Sequence, residues 1–257
     1  MTEPVLAVTF GATTHAGRVR PTNEDSYLTV PPVFLVADGM GGHSRGEVAS
    51  RIVTDTFAEL STERWLSPNE LVNTVERATD RVTALGGEGR APGSTLSGVG
   101  LTQQGGMPCW LVFNVGDSRT HLLRDGELTQ ISVDHSAAMR GDTPGPKNVI
   151  TRALGAGLSR PVADQWLIPA VIGDRILICS DGLSNELTSE LLVATLLSRA
   201  ISQDAAAALV QAAVEAGGHD NITAVVVDCT DVQSTAEHAV GVDDSTASSD
   251  DTIPDEM

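Results

Sequence analysis

Positive charge is scarce in this sequence: 16 Lys and Arg stand against 34 Asp and Glu, a formal net charge of −18 over 257 residues. Such a balance repels polyanions and excludes nucleic-acid backbones and anionic membrane surfaces as partners. Nine of the acids (Asp228, Asp231, Glu237, Asp243, Asp244, Asp250, Asp251, Asp255 and Glu256) fall in residues 228–257, which hold no Lys or Arg, so half of the excess of 18 sits there. Cysteine is equally sparse. Cys109, Cys179 and Cys229 are odd in number, far apart and next to apolar residues, which excludes a disulfide framework and suits reduced core thiols in a cytoplasmic protein. No apolar run approaches the roughly 18 residues of a membrane span, and Met1 to Phe10 has no basic segment leading into an apolar stretch. Neither export nor anchoring is expected. Cys-x-x-Cys and His-Glu-x-x-His spacings are absent, which removes the usual zinc sites.

Short runs rich in Val, Leu and Ile are present and read as strands: Val5–Phe10, Val33–Ala37, Leu96–Leu101, Trp110–Val115, Arg119–Leu123, Ile176–Cys179 and Ile222–Val227. Asp125-Gly126 marks a tight hairpin. Four longer segments have helical spacing. Arg45–Leu60 carries Val48, Ile52, Val53 and Phe57 on one face. Ser67-Pro68-Asn69-Glu70 supplies an N-cap, a first-turn proline and a capping-box glutamate for a helix running toward Leu85. Thr188–Arg199 and Gln203–Ala216 complete the set, the last closed by Gly217 and Gly218. Length alone fits one large domain or two small ones. Strands in groups, with helix pairs after the first and last groups, point to an α+β layered fold. From Thr230 the composition turns to Ser, Thr, Asp and Glu, which sets a folded unit at residues 1–229 and an acidic, disordered tail at 230–257.

Acidic residues recur where the apolar runs stop. Asp38 follows Val33–Ala37, Asp117 follows Phe113–Gly116, Asp181 follows Ile176–Ser180, and Asp220 precedes Ile222–Val225. One aspartate at a strand end is ordinary turn chemistry. Four that converge repel one another unless a cation neutralises them, and oxygen donors select Mg²⁺ or Mn²⁺. The loop Asp38-Gly39-Met40-Gly41-Gly42-His43 lets main chain approach a ligand closely. No Gly-Lys-Ser/Thr follows it, which argues against nucleotide phosphates.

Eight segments in order resemble the metal-dependent protein phosphatases of the PP2C (PPM) family, in their compact bacterial form. They are Gly17 to Asp25, Asp38 to His43 with Gly46-Glu47, Gly93-Ser94-Thr95, Gly116 to Arg119, Asp134-His135-Ser136, Thr151 to Gly155, Ser180 to Leu183, and His219-Asp220-Asn221. The resemblance implies a four-layer αββα sandwich, two central antiparallel sheets flanked by helix pairs, with two Mn²⁺ or Mg²⁺ ions and a third, weaker one at one end. It implies that Asp38 bridges the two ions, that Asp181 and Asp220 complete the first, and that the Gly39 carbonyl ligates the second. Glu24 and Asp25 would hold metal-bound waters or orient the surrounding shell, and Asp117 with Asp181 would hold the third ion. Arg20 would grip the substrate phosphate. The implied activity is hydrolysis of phosphoserine and phosphothreonine by direct in-line attack of a water shared by the two ions, with no covalent phosphoenzyme. The implied partners are phosphorylated proteins, among them serine/threonine kinases and their substrates.

Several features depart from the family pattern. Met40 stands where many relatives carry histidine, which leaves His43 or a third-ion water to protonate the leaving group. Asn185 stands where relatives often place an acid, weakening the third ion. The segment from Ala137 to Asn148, in the place of the family's flap, is short. His135 and Arg152 are explained as well by buried hydrogen bonding as by catalysis, and Arg119 reads as a structural ion-pair partner. Asp250 to Asp255, around Thr252, resembles the phosphothreonine motifs read by forkhead-associated domains; a solubilising tail is the alternative. Two other functions compete: dephosphorylation of anti-sigma-factor antagonists, against which Arg20 and Asn23-Glu24-Asp25 argue, and non-catalytic phosphoprotein binding, against which the full set of Asp38, Asp181 and Asp220 argues.

Overall fold

Period-two alternation sends successive side chains of a strand to opposite faces, and in this chain both faces of the central strands are buried. In β3 (Val33–Met40), Val33, Leu35 and Ala37 enter one core while Phe34 and Val36 enter another. In β12 (Ile222–Gln233), Ile222, Ala224 and Val226 face one core and Val225, Val227 and Cys229 the next. Strands buried on two sides require layers above and below. The computed structural model, which describes residues 3–41, 45–86, 91–137, 149–158 and 160–235, supplies them.

One sheet orders β1 (Val5–His15), β12, β11 (Arg175–Cys179), β7 (Arg119–Arg124) and β8 (Glu127–Gln130). The other orders β10 (Asp164–Pro169), β6 (Met107–Val115), β5 (Leu96–Gln104), β3, β4 (Gly93–Ser94) and β9 (Leu154–Gly155), with β2 (Asp25–Val30) paired on β3. All of these pairings are antiparallel. Helices α1 (Arg45–Ala58) and α2 (Pro68–Thr83) close a core over the second sheet, where Phe57 stacks on Phe113. A short α3 (Asp181–Ser184) follows β11, and α4 (Ser189–Ser198) and α5 (Ser202–Ala216) close a core over the first sheet. A third core lies between the sheets around Phe34, Trp110, Ile176 and Val225. The expected αββα sandwich is the observed architecture.

Local chemistry sets the ends of the elements. The Ser67 hydroxyl accepts the Glu70 amide and the Glu70 carboxylate accepts the Ser67 amide, a complete capping box with Pro68 at the first helical position. Asp125 and Gly126, at φ +53° and +83°, form the tight turn between β7 and β8. The last carbonyls of α4 are taken by the Arg175 guanidinium, which also forks onto Asp228. Beyond β8, the hairpin partner of β7, four strands escape the apolar-run reading, two of them (β4 and β9) only two residues long. β2 begins on an aspartate and buries only Asp25 and Leu28, and β10 is a half-exposed edge strand. The tail boundary at Thr230 also shifts, because β12 pairs with β1 as far as Gln233 and the Thr235 amide donates to the Gly106 carbonyl. The proposed disordered tail beyond that point, with Thr252, lies outside the described residues. Among the described residues no helix is long and apolar enough to cross a membrane.

At the start of β11, away from the acidic strand ends, the fully buried Asp174 carboxylate accepts from Trp110 Nε1 at 2.8 Å, from the Arg124 fork at 2.6 and 2.7 Å, and from the Val171 amide. Removing the carboxylate leaves the buried Trp110 Nε1 without an acceptor, while Arg124, one-third exposed, can turn to water. Asp174→Ala is therefore expected to cost about 1–3 kcal/mol, read as a lower urea midpoint with Mn²⁺ affinity unchanged; an unaltered midpoint would refute the assignment.

Candidate metal centre

Three strands end and two begin at one pole of the sandwich, and residues at those ends line a basin of about 970 Å³. β3 delivers Asp38, the turn after β6 delivers Asp117, and the end of β11 delivers Asp181. Asp220 stands just before β12, and Asp25, which opens β2, lies buried behind the others. The structure thus gathers all five aspartates singled out from the sequence, with Glu24, Gly39 and Arg20 also on the basin wall. His43 lies outside the described residues, as do residues 138–148 of the expected flap.

The acids are crowded. Asp25 sits directly opposite Asp38 in the β2–β3 register, an unfavourable cross-strand pair when both are charged. One oxygen of Asp25 accepts from Ser180 Oγ and Thr223 Oγ1, each at 2.7 Å. Its other oxygen, like Oδ1 of Asp117 and Oδ1 of Asp181, is buried without a hydrogen-bond partner. Burial, with the charges of Asp181 and Asp220 adding to it against the two hydroxyl bonds, pushes Asp25 up to about 7. Asp117 is pushed to about 7 by burial and then by Asp181. Asp38 is driven well above the ordinary carboxylate range by desolvation and then by Asp25, Asp181, Asp117 and Asp220. Asp181 is raised by burial and by Asp220. Such a set calls for positive charge, and an all-oxygen donor set with orphaned lone pairs fits a hard divalent cation.

Arg20 supplies part of that charge. Its Nη2 lies 2.7 Å from Asp220 Oδ2, and its own pKa is raised by that bond and by the charges of Asp220, Asp38 and Asp181. The arginine expected on the phosphate and the aspartate expected on a metal are therefore joined to each other. Asp220 Oδ1 is also engaged, by the Asn221 amide at 2.8 Å. Among the described residues no three acids, imidazoles or thiols are gathered tightly enough to enclose an ion as they stand.

Glycine allows the close approach of main chain here. A Cβ on Gly39 would stand 2.0 Å from the Gly46 carbonyl oxygen and 2.6 Å from that of Glu24; one on Gly46 would stand 2.6 Å from the Glu24 carboxyl carbon. The end of β3, the approach to β2 and the first turn of α1 are locked together with no space for side chains, leaving Gly39 main chain on the basin wall.

Residues within the motifs that carried no assigned role turn out to hold the site. Asn221 Oδ1 accepts the Glu24 amide at 2.8 Å and its Nδ2 donates to the Ala16 and Thr22 carbonyls, stapling the Arg20 loop to the start of β12. Thr95 Oγ1 accepts the Asp38 amide and bonds Ser118 Oγ, tying the Asp38 strand to the Asp117 turn. Glu186 accepts from both the amide and Nδ1 of His219 on the rim. Asn185 Nδ2 donates to Asp181 Oδ2 at 3.2 Å, so an amide stands where an acid was the family pattern. Arg119 forks onto Asp134, a structural pair as expected, though with a different partner from the neighbouring Asp117.

A family model described as protein phosphatase 2C matches residues 22–215. The chain is 33% identical over 256 residues to serine/threonine protein phosphatase PstP of Mycobacterium tuberculosis, covering 90% of this chain and 47% of that protein. It thus spans about half the length of the mycobacterial relative. It is 31% identical to serine/threonine phosphatase stp of Listeria monocytogenes, covering 84% of this chain and 93% of that one. The structure superposes on the crystal structure of the PstP catalytic domain in complex with two manganese ions at a TM-score of 0.77 and 32% identity, covering 88% of this chain and all of that one.

The raised carboxyls give a pH dependence of defined sign. An aspartate loses its proton near 3.9 in the unfolded chain, whereas Asp25 and Asp117 hold theirs to about 7 when folded. Between those values the folded state binds more protons, so stability falls as pH rises through the window and levels off above it. Chelator-treated protein is expected to unfold at progressively lower urea from pH 5 to 7.5, and Asp117→Asn to make the fall shallower; a rise with pH would contradict the arrangement.

Proposed function

The chain belongs to the protein phosphatase 2C family, and from that membership we propose that it is a metal-dependent protein phosphatase acting on phosphoserine and phosphothreonine. The observation that carries the reading is the meeting of Asp38, Asp117, Asp181 and Asp220 in one basin, backed by Asp25, with three buried carboxylate oxygens unpartnered. Asp38, the Gly39 carbonyl, Asp181 and Asp220 would hold two Mn²⁺ or Mg²⁺ ions, Glu24 and Asp25 would orient the shell, and Asp117 with Asp181 would hold a weaker third. Such ions supply Lewis acidity toward phosphoryl oxygens and lower the pKa of water.

The chain's own groups divide the remaining work. The three thiols are buried, with Cys179 pushed up to about 12 by burial, and none lines the basin, so a cysteinyl-phosphate route has no nucleophile. Arg20 reaches the basin with its side chain 54% exposed, free to exchange the Asp220 carboxylate for a phosphate dianion and to grip two of its oxygens. Asn221 keeps that arginine loop in register with Asp220. Met40, Val149, Ile150 and Leu158 make an apolar part of the wall, suited to the flanking residues of a peptide rather than to a small phosphate ester. Serine/threonine kinases and their phosphorylated substrates are the partners that follow from this reading.

An assay of a phosphothreonine peptide with Mn²⁺ added or chelated tests it directly. Turnover is expected to vanish on chelation and to fall at least roughly 100-fold in Asp38→Ala, the upper range for disturbing even the outer partners of a metal. Arg20→Ala is expected to raise KM about 10-fold or more, for loss of a charge-assisted bond of about 1.5–3 kcal/mol. Full turnover in chelator, or in Asp38→Ala, would sink the proposal.

A further inference from the structure

Asp117 reaches the basin on a turn that is gripped from behind by a buried histidine. The amide of Gly116, the residue before it, donates to His135 Nδ1 at 3.1 Å, and the His135 amide donates back to the Gly116 carbonyl at 2.8 Å. Asn114 Nδ2 donates to the same carbonyl at 3.1 Å. Gly116 sits at φ +110° with the Thr95 methyl 2.7 Å from where a Cβ would stand, so this position has neither a side chain to brace it nor space for one. On the other side of the imidazole, Nε2 lies 3.0 Å from Asp164 Oδ2, and the second oxygen of Asp164 accepts Arg152 Nη1 at 2.7 Å.

These contacts assign the tautomer. A main-chain N–H can only donate, so Nδ1 of His135 is the bare nitrogen and the ring proton is on Nε2, where it is donated to Asp164. Arg152 Nη1 also approaches Nε2 at 3.1 Å, but with a proton on each nitrogen the two meet by sharing Asp164 and not by bonding each other. His135 does not line the basin and is 7% exposed, which leaves it no route to a substrate.

We infer that His135, with its tautomer set by Asp164, is a positioning residue that clamps the Gly116–Asp117 turn and so aims the Asp117 carboxylate into the metal centre. The inference rests on the reading of Asp117 as a metal-holding acid. Its consequence is selective: the weakest ion, which would need Asp117, depends on His135, and the two ions that would share Asp38 do not.

Mn²⁺ binding to the full chain, measured by calorimetry without substrate, separates this role from a general structural one. Asp117→Ala is expected to weaken the weakest ion, and His135→Ala to do the same by roughly 10-fold, the range found when the outer partners of a metal are removed. His135→Asn keeps an acceptor near the Nδ1 position and is expected to restore most of the binding. Asp164→Ala, a change at the partly exposed end of the relay, is expected to weaken the same ion by a smaller factor. The double variant His135→Ala/Asp117→Ala is expected to bind no worse than Asp117→Ala, because the two act through one carboxylate. Additive losses in the double variant, or equal weakening of every ion, would overturn the inference. If His135→Ala fails to fold, His135→Asn and Asp164→Ala decide, and wild-type binding in Asp164→Ala counts against it. Should Asp117→Ala itself bind Mn²⁺ like the wild type, the metal role of Asp117 falls first; should only the His135 and Asp164 variants do so, the clamp alone falls.

Discussion

The constraint on which the structure turns is electrostatic repulsion among carboxylates that the strand order forces together. Asp25 and Asp38 are opposed across β2–β3, and Asp117, Asp181 and Asp220 arrive at the same pole from other strands. In water these groups would separate. Here each is fixed to a strand end whose own position is determined by two or three hydrophobic cores, so the repulsion cannot relax without unpicking the sheets. The apolar layers thus hold in place an arrangement that is unfavourable on its own, and the raised proton affinity of Asp25, Asp38 and Asp117 reflects their burial first and the neighbouring carboxylates second.

The polar groups around the basin share out its support. Ser180 and Thr223 satisfy one oxygen of Asp25 while the other stays buried without a hydrogen-bond partner. Thr95 ties the Asp38 strand to the Asp117 turn, Asn221 links the Asp220 end of β12 to the arginine loop, and His135 holds the Asp117 turn from behind. These supports leave one buried oxygen each of Asp25, Asp117 and Asp181 without a hydrogen-bond partner. Pre-organisation of this kind is what electrostatic catalysis requires, because groups already in place need no reorganisation when charge develops.

Much of this was legible in the amino-acid order. Strands in groups with helix pairs after the first and last groups gave the layers, and the Asp beside each apolar run, such as Asp38 after Val33–Ala37 and Asp220 before Ile222–Val227, marked the pole where chemistry gathers. Ser67 to Glu70 revealed its cap through side-chain chemistry confined to four residues. β2 and β10 were not legible, because an edge strand or one led by an aspartate needs its neighbour to define it. The pairing of Arg20 with Asp220 was likewise hidden: the two are 200 residues apart and each had a role that did not involve the other. Asn221 and His135 were visible as motif members, yet their work is to bond main-chain atoms, which leave no trace in residue type.

β12 carries one more implication. It begins beside Asp220 and ends at Gln233, where Thr235 bonds Gly106 in the β5–β6 hairpin. At about 3.3 Å per residue, its 12 residues carry the backbone roughly 36 Å from the acids. The strand therefore gives the molecule a polarity like that of a lamp and its stand: chemistry at one pole, attachment at the other. Thr235, the last of the described residues, is therefore fixed on the far side of the molecule from the basin.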